Sequence, residues 1–283
     1  MLPTTPSKPV ITYPSSMLLS GFSGAGKSTL IQELNMNGYK CLHIDLQGGT
    51  EHIGGYRVDL QEEALKLKTN LYGAFISLIK DLDEAKLKGV QYDFVVWDTL
   101  SDFKELIVQI SAAIYNSTTI GKAAAKKLAD AKFGPNHTPA QLATCLSKDP
   151  VTDLGQNGWN FHNQAFDFIQ KRLFKHAKYC TIILAHAKLK AQRKAEDSPE
   201  FNIKEIDFWP TYTANLVRLV SESGQVIRKD NEVYLNFIFM EGQAHFKSRY
   251  LDGQSILMSE MDENKVITAH WEKIFPFLTT PAK

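Results

Sequence analysis

A short apolar run, Met17-Leu18-Leu19-Ser20, leads straight into Gly21-Phe22-Ser23-Gly24-Ala25-Gly26-Lys27-Ser28, which fits the pattern G-x-x-x-x-G-K-[ST]. No other feature restricts the fold of this chain as much. With glycine near 7% of residues in ordinary proteins, a chance match in a chain of this length is on the order of one in a hundred. The pattern works only between a buried strand and a helix. Its glycines let the backbone curl so that successive N–H groups point at phosphate oxygens, and the helix N-terminus adds positive potential. The flanks meet that demand: a strand-length apolar run precedes the motif, and a helix from Lys27 to about Asn37, stopped by Gly38, follows it. The bland alternative is a glycine-rich turn that merely joins strand to helix.

The residues give the loop a chemistry. Gly21, Phe22, Ser23, Gly24, Ala25, Gly26, Lys27, Ser28 and Thr29 form the candidate nucleotide-binding set. Lys27 is expected at the β- and γ-phosphates of ATP, and the Ser28 hydroxyl on Mg²⁺. A second run, Phe94-Val95-Val96-Trp97, ends in Asp98 and is followed by Thr99-Leu100-Ser101. An Asp at the C-terminal end of a buried parallel strand lies on the ligand edge of the sheet, where it can hold the Mg²⁺ shell opposite Ser28. Asp also caps helices. Asp102 is the better-placed cap, which leaves Asp98 for the metal.

The remaining segments predict an α/β chain with a mostly parallel central sheet, helices on both faces and an antiparallel β extension at the C-terminus. Strands are expected at Lys40–Asp45, Tyr92–Trp97 and Tyr179–Ala185. Helices are expected at Asn70–Lys88, Asp102–Tyr115 and Phe161–Lys178, with a loop of four glycines between Leu46 and Arg57. Val217–Val220, Gln225–Arg228, Val233–Met240 and Ala244–Tyr250 read as β segments joined by turns at Lys229-Asp230-Asn231 and Glu241-Gly242. Residues 111–159 fit none of this and read as a partly helical insertion. The domain reading is an N-terminal arm (1–16), a core (17–258) carrying that insertion, and a C-terminal strand or helix segment (259–283).

Composition narrows the functional classes. The chain has 283 residues, with 32 Lys plus Arg against 31 Asp plus Glu, a formal net charge of +1. Any nucleic-acid site must therefore be a local patch. Three scattered cysteines, Cys41, Cys145 and Cys180, form neither a disulfide framework nor a zinc spacing and point to a reducing compartment. The longest apolar runs are strand-length, short of the ~20 residues a spanning helix needs. The first sixteen residues, with four prolines, lack the apolar region of a signal peptide. The expectation is a cytoplasmic protein with no membrane partner.

In motif order, from about Ser16 to Leu251 and leaving out 111–159, the chain resembles the RecA/RadA-like ATPases, most nearly the minimal RecA-core ATPases of bacteriophages that act in single-strand annealing and recombination. The matching motifs after the phosphate loop are Cys41-Leu42-His43-Ile44-Asp45, the strand ending in Asp98, Ile182-Ile183-Leu184-Ala185-His186, and His245-Phe246-Lys247-Ser248-Arg249. The resemblance implies a catalytic glutamate two residues after Asp45. Gln47 stands there; it can position water but cannot accept its proton. Glu51, four residues on, is a substitute or a solvated loop carboxylate. The resemblance also implies a polar γ-phosphate sensor at His186, which is otherwise a hydrogen-bonded structural histidine. It further implies single-stranded DNA contacts from the loop after that strand, at Lys188, Lys190, Arg193 and Lys194, which alternatively form a solvated basic loop. Lys247 and Arg249, alternating on a predicted strand, would reach the γ-phosphate of a neighbouring subunit in a homo-oligomeric ring or filament; otherwise they are exposed strand cations. A phage-encoded member would work in the host cytoplasm. Two other functions stay open: a nucleotide-gated binding protein with little turnover, and a P-loop kinase acting on a small molecule or nucleotide.

Overall fold

The computed structural model describes residues 13–36, 38–49, 54–192, 201–238, 247–263 and 266–279. In chain order the elements are β1 (Ser16–Gly21), α1 (Lys27–Met36), β2 (Cys41–Asp45), β3 (Tyr56–Asp59), α2 (Leu60–Lys66), α3 (Leu71–Leu87), β4 (Tyr92–Asp98), α4 (Phe103–Ser117), α5 (Thr119–Phe133), α6 (Pro139–Ala143), α7 (Pro150–Leu154), α8 (Trp159–Leu173), β5 (Ala177–Gln192), β6 (Phe201–Ile206), α9 (Pro210–Leu219), β7 (Glu222–Lys229), β8 (Glu232–Asn236), β9 (Ser255–Met261) and β10 (Ile267–Ala269). They fall into two compact units. One holds residues 1–58, 91–101 and 177–283; the other holds 59–90 and 102–176.

The first unit is the predicted α/β fold. Its sheet runs β10-β9-β8-β7-β1-β5-β4-β2-β3. The five strands β7, β1, β5, β4 and β2 are parallel, and β8, β9 and β10 continue antiparallel from β7. Such an interior demands apolar side chains on both faces, and β1 and β2 are buried along their whole length. Leu30, Ile31 and Leu34 of α1 pack with Met17, Leu19, Phe94, Val96, Ile182 and Leu184. The C-terminal segment belongs to this same core and is not a separate piece. Trp271, Ile274 and Phe275 are buried, and the Trp271 indole Nε1 donates to the Leu30 carbonyl of α1 at 2.9 Å. Ahead of β1, Tyr13 meets Tyr179, Phe275 and Phe277 edge-on.

The second unit is helical. The Asn70 side chain caps α3 through Gly73 N, and Thr138 and Gln141 form a reciprocal capping box on α6. Leu106, Ile107, Ile110 and Tyr115 of α4 and Ala165, Phe166, Ile169 and Leu173 of α8 supply buried faces. His176 Nε2 reaches Asp83 Oδ1 at 3.0 Å and holds that carboxyl below its usual range. The 111–159 segment is thus a set of helices continuous with α4. It shares a unit with residues 59–90, so its true partner was hidden by sequence distance.

Several sequence expectations are corrected. Val217–Val220 is not a strand: Val217, Arg218 and Leu219 end α9, with Val220 as its extended cap, and the helix starts at Pro210 with its ring at the first helical position. Short apolar runs do not distinguish buried helix from strand. The segment after His186 is not a loop: β5 runs on to Gln192 and pairs antiparallel with β6. The last predicted strand leaves, within the described residues, a single bridge between Lys247 and Ser223. The buried Glu222 carboxylate explains why: it accepts from Ser248 Oγ, Arg249 N and Tyr250 N, turning the chain off the sheet. Asp102 precedes α4 but makes no side-chain cap hydrogen bond.

Trp271→Ala should cost about 3–5 kcal/mol, the range for deleting a buried Trp side chain, read as a lower urea midpoint. Trp271→Phe, which keeps an aromatic ring but loses the bond to Leu30 and part of the buried volume, should cost less than the alanine variant.

Candidate nucleotide site

The phosphate loop leaves β1 at Gly21. A side chain there would meet the Val226 carbonyl at 2.9 Å, so only glycine fits between β1 and β7. Gly24 and Gly26 take φ of 76° and 89°, the left-handed turns that let α1 begin at Lys27. The Lys27 side chain folds over the loop: its ammonium donates to the carbonyls of Gly21 at 2.9 Å and Phe22 at 3.0 Å. Burial lowers its pKa, opposed by the Asp98 carboxylate. Nucleotide phosphates are a stronger partner for that ammonium than two carbonyls.

Asp98 ends β4, two strands from β1, with β5 between. Its carboxylate is buried, and Ser28 Oγ donates to its Oδ2 at 3.0 Å. The two residues are hard oxygen donors at the N-terminus of α1, the donor type Mg²⁺ takes with water completing its shell. In donor type and position Ser28 and Asp98 therefore fit Mg²⁺.

His186 sits in register opposite Gly21 and is half-buried, so the sensor candidate borders the start of the loop. Gln47 is exposed at the C-terminal edge of the sheet. Its backbone N–H and that of Gly48 donate to Asp45 Oδ1 at 3.0 and 2.9 Å, and Asp45 pairs in register with Asp98. Glu51, Arg193 and Lys194 lie outside the described residues. Lys188 and Lys190 stand on the β5–β6 hairpin and form ion pairs with Asp207 (3.0 Å) and Glu205 (3.4 Å).

Lys247 and Arg249 are not at this chain's own loop. Lys247 bridges to Ser223, which is in register with Leu18. Three residues separate Leu18 from Gly21, about 10 Å along a strand. The Lys247 ammonium donates to the Arg218 carbonyl at 2.6 Å, and burial, with Arg249 nearby, lowers its pKa.

Sequence reasoning missed four site residues. A cavity of about 320 Å³ flanks the loop on the β7 side, bordered by Phe22, Ser23, Lys204, Gln225 and Arg228. The Arg228 guanidinium lies 3.5 Å from the Gly24 carbonyl, and the Lys204 ammonium 5.8 Å from the Phe22 ring centre. These residues meet the loop only through strand register, which no local pattern encodes. The fourth, His43, does leave a sequence signal, a histidine inside an otherwise apolar strand.

Residues 14–131 match the family model for an AAA domain, a stretch that takes in the phosphate loop, Asp45 and Asp98. Over these residues the chain is similar to an AAA-type P-loop ATPase domain. No curated protein matches the chain. Among solved structures, an ATPase from the type III secretion system of pathogenic bacteria is similar at a TM-score of 0.37 and 12% identity, over 80% of this chain and 60% of its own. The chain thus spans about three-fifths of that protein's length. The RadB recombinase is similar at a TM-score of 0.36 and 12% identity, over 92% of each chain. No described helix is long and apolar enough to cross a membrane.

Gly26→Ala tests the loop. A Cβ at this φ would sit 3.1 Å from Val233 Cγ2, and left-handed backbone costs a non-glycine residue roughly 1–2 kcal/mol. Affinity for Mg·ATP should fall about tenfold by titration calorimetry, with the circular dichroism spectrum unchanged.

Proposed function

We propose that the chain is a Mg²⁺-dependent protein of the RecA-like kind that binds and hydrolyses ATP and acts on single-stranded DNA in recombination, annealing or replication. The observation that carries the nucleotide reading is the Ser28–Asp98 hydrogen bond at 3.0 Å, which joins the head of the loop helix to a carboxylate from a non-adjacent strand. In hydrolysis, a water oxygen bonds to the γ-phosphorus as the bond to the β–γ bridging oxygen breaks, ADP leaves with that oxygen's electron pair, and the water's proton passes to a γ-phosphate oxygen. Lys27 and Mg²⁺ would offset the charge on the phosphates, and Gln47 would orient the water. The His186 strand continues into the β5–β6 pairing, which links the loop to Lys188 and Lys190 as DNA contacts; Arg193 and Lys194, outside the described residues, complete the candidate set. Lys247 and Arg249 would serve the loop of a neighbouring copy. One observation favours a second reading, a nucleotide-gated binding protein with little turnover: Gln47 occupies the place of a base and has no carboxylate.

Lys27→Ala should lose nearly all Mg·ATP binding by calorimetry; wild-type affinity there would refute the site assignment. The parent should release phosphate faster with single-stranded DNA. Tight ATP binding with almost no release under either condition selects the second reading. Neutralising Lys188, Lys190, Arg193 and Lys194 together should flatten the slope of log affinity against log salt by roughly 0.7 for each phosphate no longer neutralised; an unchanged slope removes these residues from the DNA site.

Arg249→Ala should bind ATP almost normally but hydrolyse it poorly, since a cation at the transferring phosphate can be worth ~10³–10⁵ in rate. Mixing it with Lys27→Ala should restore activity, because the Lys27→Ala copy lends an intact Arg249 to its neighbour's intact loop. Mixtures that co-assemble without recovery would rule out a shared site.

A further inference from the structure

The strand β2 is buried throughout, and its one histidine is completely so. His43 pairs in register with Val96, two residues before Asp98, and strand alternation puts His43, Asp45, Val96 and Asp98 on one face. Val96 packs there with Leu30 and Ile31 of α1, so His43 lies on the side of the sheet where the loop helix begins. His43 Nε2 stands 3.1 Å from Asp98 Oδ2, the same oxygen that accepts from Ser28 Oγ. An ionised carboxylate only accepts hydrogen bonds, so the proton in this contact belongs to His43 Nε2. The other ring nitrogen, Nδ1, is buried with no hydrogen-bond partner among the described residues.

An imidazole buried with one unpaired nitrogen is a poor choice for filling space, and an aliphatic side chain would pack at lower desolvation cost. What the imidazole adds is one directed N–H at the carboxylate. We infer that His43 is a positioning residue for Mg²⁺: its Nε2–H holds the Asp98 carboxylate in the orientation in which Asp98 and Ser28 together receive the hydrated ion. This inference rests on the nucleotide reading above and adds a residue to it. His43 touches neither nucleotide nor metal and acts through Asp98. Partners of this outer kind fix ligand orientation, and their removal usually costs 10–100-fold in metal affinity.

The test is the Mg²⁺ concentration that half-saturates the enhancement of ATP binding, followed by calorimetry beside metal-free ATP affinity. His43→Leu, which keeps volume but has no donor, should raise that concentration roughly 10–100-fold while metal-free affinity stays within about twofold. His43→Gln, whose amide N–H can reach Asp98, should restore most of the Mg²⁺ response. His43→Asn, with a shorter side chain, should not. Combined with Asp98→Asn, His43→Leu should add almost nothing, because both remove the same oriented carboxylate. A parental Mg²⁺ requirement in His43→Leu, or full additivity with Asp98→Asn, overturns the inference and leaves the nucleotide site standing. Should His43→Leu not fold, equal Mg²⁺ requirements in the Gln and Asn variants overturn it as well. A parent that binds no nucleotide overturns the site reading, and this inference with it.

Discussion

One oxygen, Asp98 Oδ2, ties the nucleotide site together. A carboxylate this buried would be costly to leave unpaired, and here it receives Ser28 Oγ from the head of α1 and His43 Nε2 from β2. These two bonds fasten the loop helix to β4 and β2 across the intervening β5. The backbone bond from Leu46 N to the Asp98 carbonyl, at 2.9 Å, closes the same edge. Because β1, β5, β4 and β2 run parallel, β1, β4 and β2 end at this edge and β5 passes it at His186, so Lys27, His186, Asp45 and Asp98 converge without any long loop having to carry them.

The parts legible in the sequence are those whose physics is local. The phosphate loop needs glycines at fixed offsets and a strand and helix at its ends, all within some twenty residues. The place of Asp98 at the end of a buried parallel strand was readable because an apolar run of strand length leads directly into it. The helices α3, α4 and α8 show their 3.6-residue period directly. Their ends were less clear: α8 stops at Leu173, because Ala177 and Lys178 already belong to β5. At the end of α9, the apolar run Val217-Arg218-Leu219-Val220 read as strand, but burial of Tyr212, Thr213, Leu216 and Val217 along one helical side decides the outcome, and the helix runs to Leu219. His43, Lys204 and Arg228 depend on which residue lies beside which across the sheet, and that is settled only when strands pair.

The hairpin changes how the basic stretch after His186 should be understood. In a loop, four cations in a row would be freely solvated. On paired strands, Lys188 and Lys190 share a face, and each finds an acidic partner on β6 or just past it. Both lysines are about half-exposed, with side-chain exposures of 46% and 51%. The Lys188–Asp207 pair is open on both sides and worth about 0–1 kcal/mol, whereas Glu205 is buried, so Lys190 is the costlier of the two to draw away from its partner. The acidic partners lower the net charge of this face, so it is less basic than the run of lysines and arginine in the sequence suggests.

The buried Glu222 carboxylate governs where Lys247 and Arg249 lie. It sits in register with Met17, at the opposite end of β1 from the loop, and gathers Ser248 Oγ, Arg249 N and Tyr250 N around itself. That anchor fixes where Lys247 and Arg249 can be. Each residue toward the loop adds about 3.3 Å of strand, so the pair is set back from the chain's own phosphate loop, while Arg228 and Lys204 line the cavity beside it. A phosphate-directed role for Lys247 and Arg249 then requires a second copy that presents its loop to this surface. Such a contact joins two different faces of the same protein, the geometry that builds rings and filaments and not closed two-fold pairs.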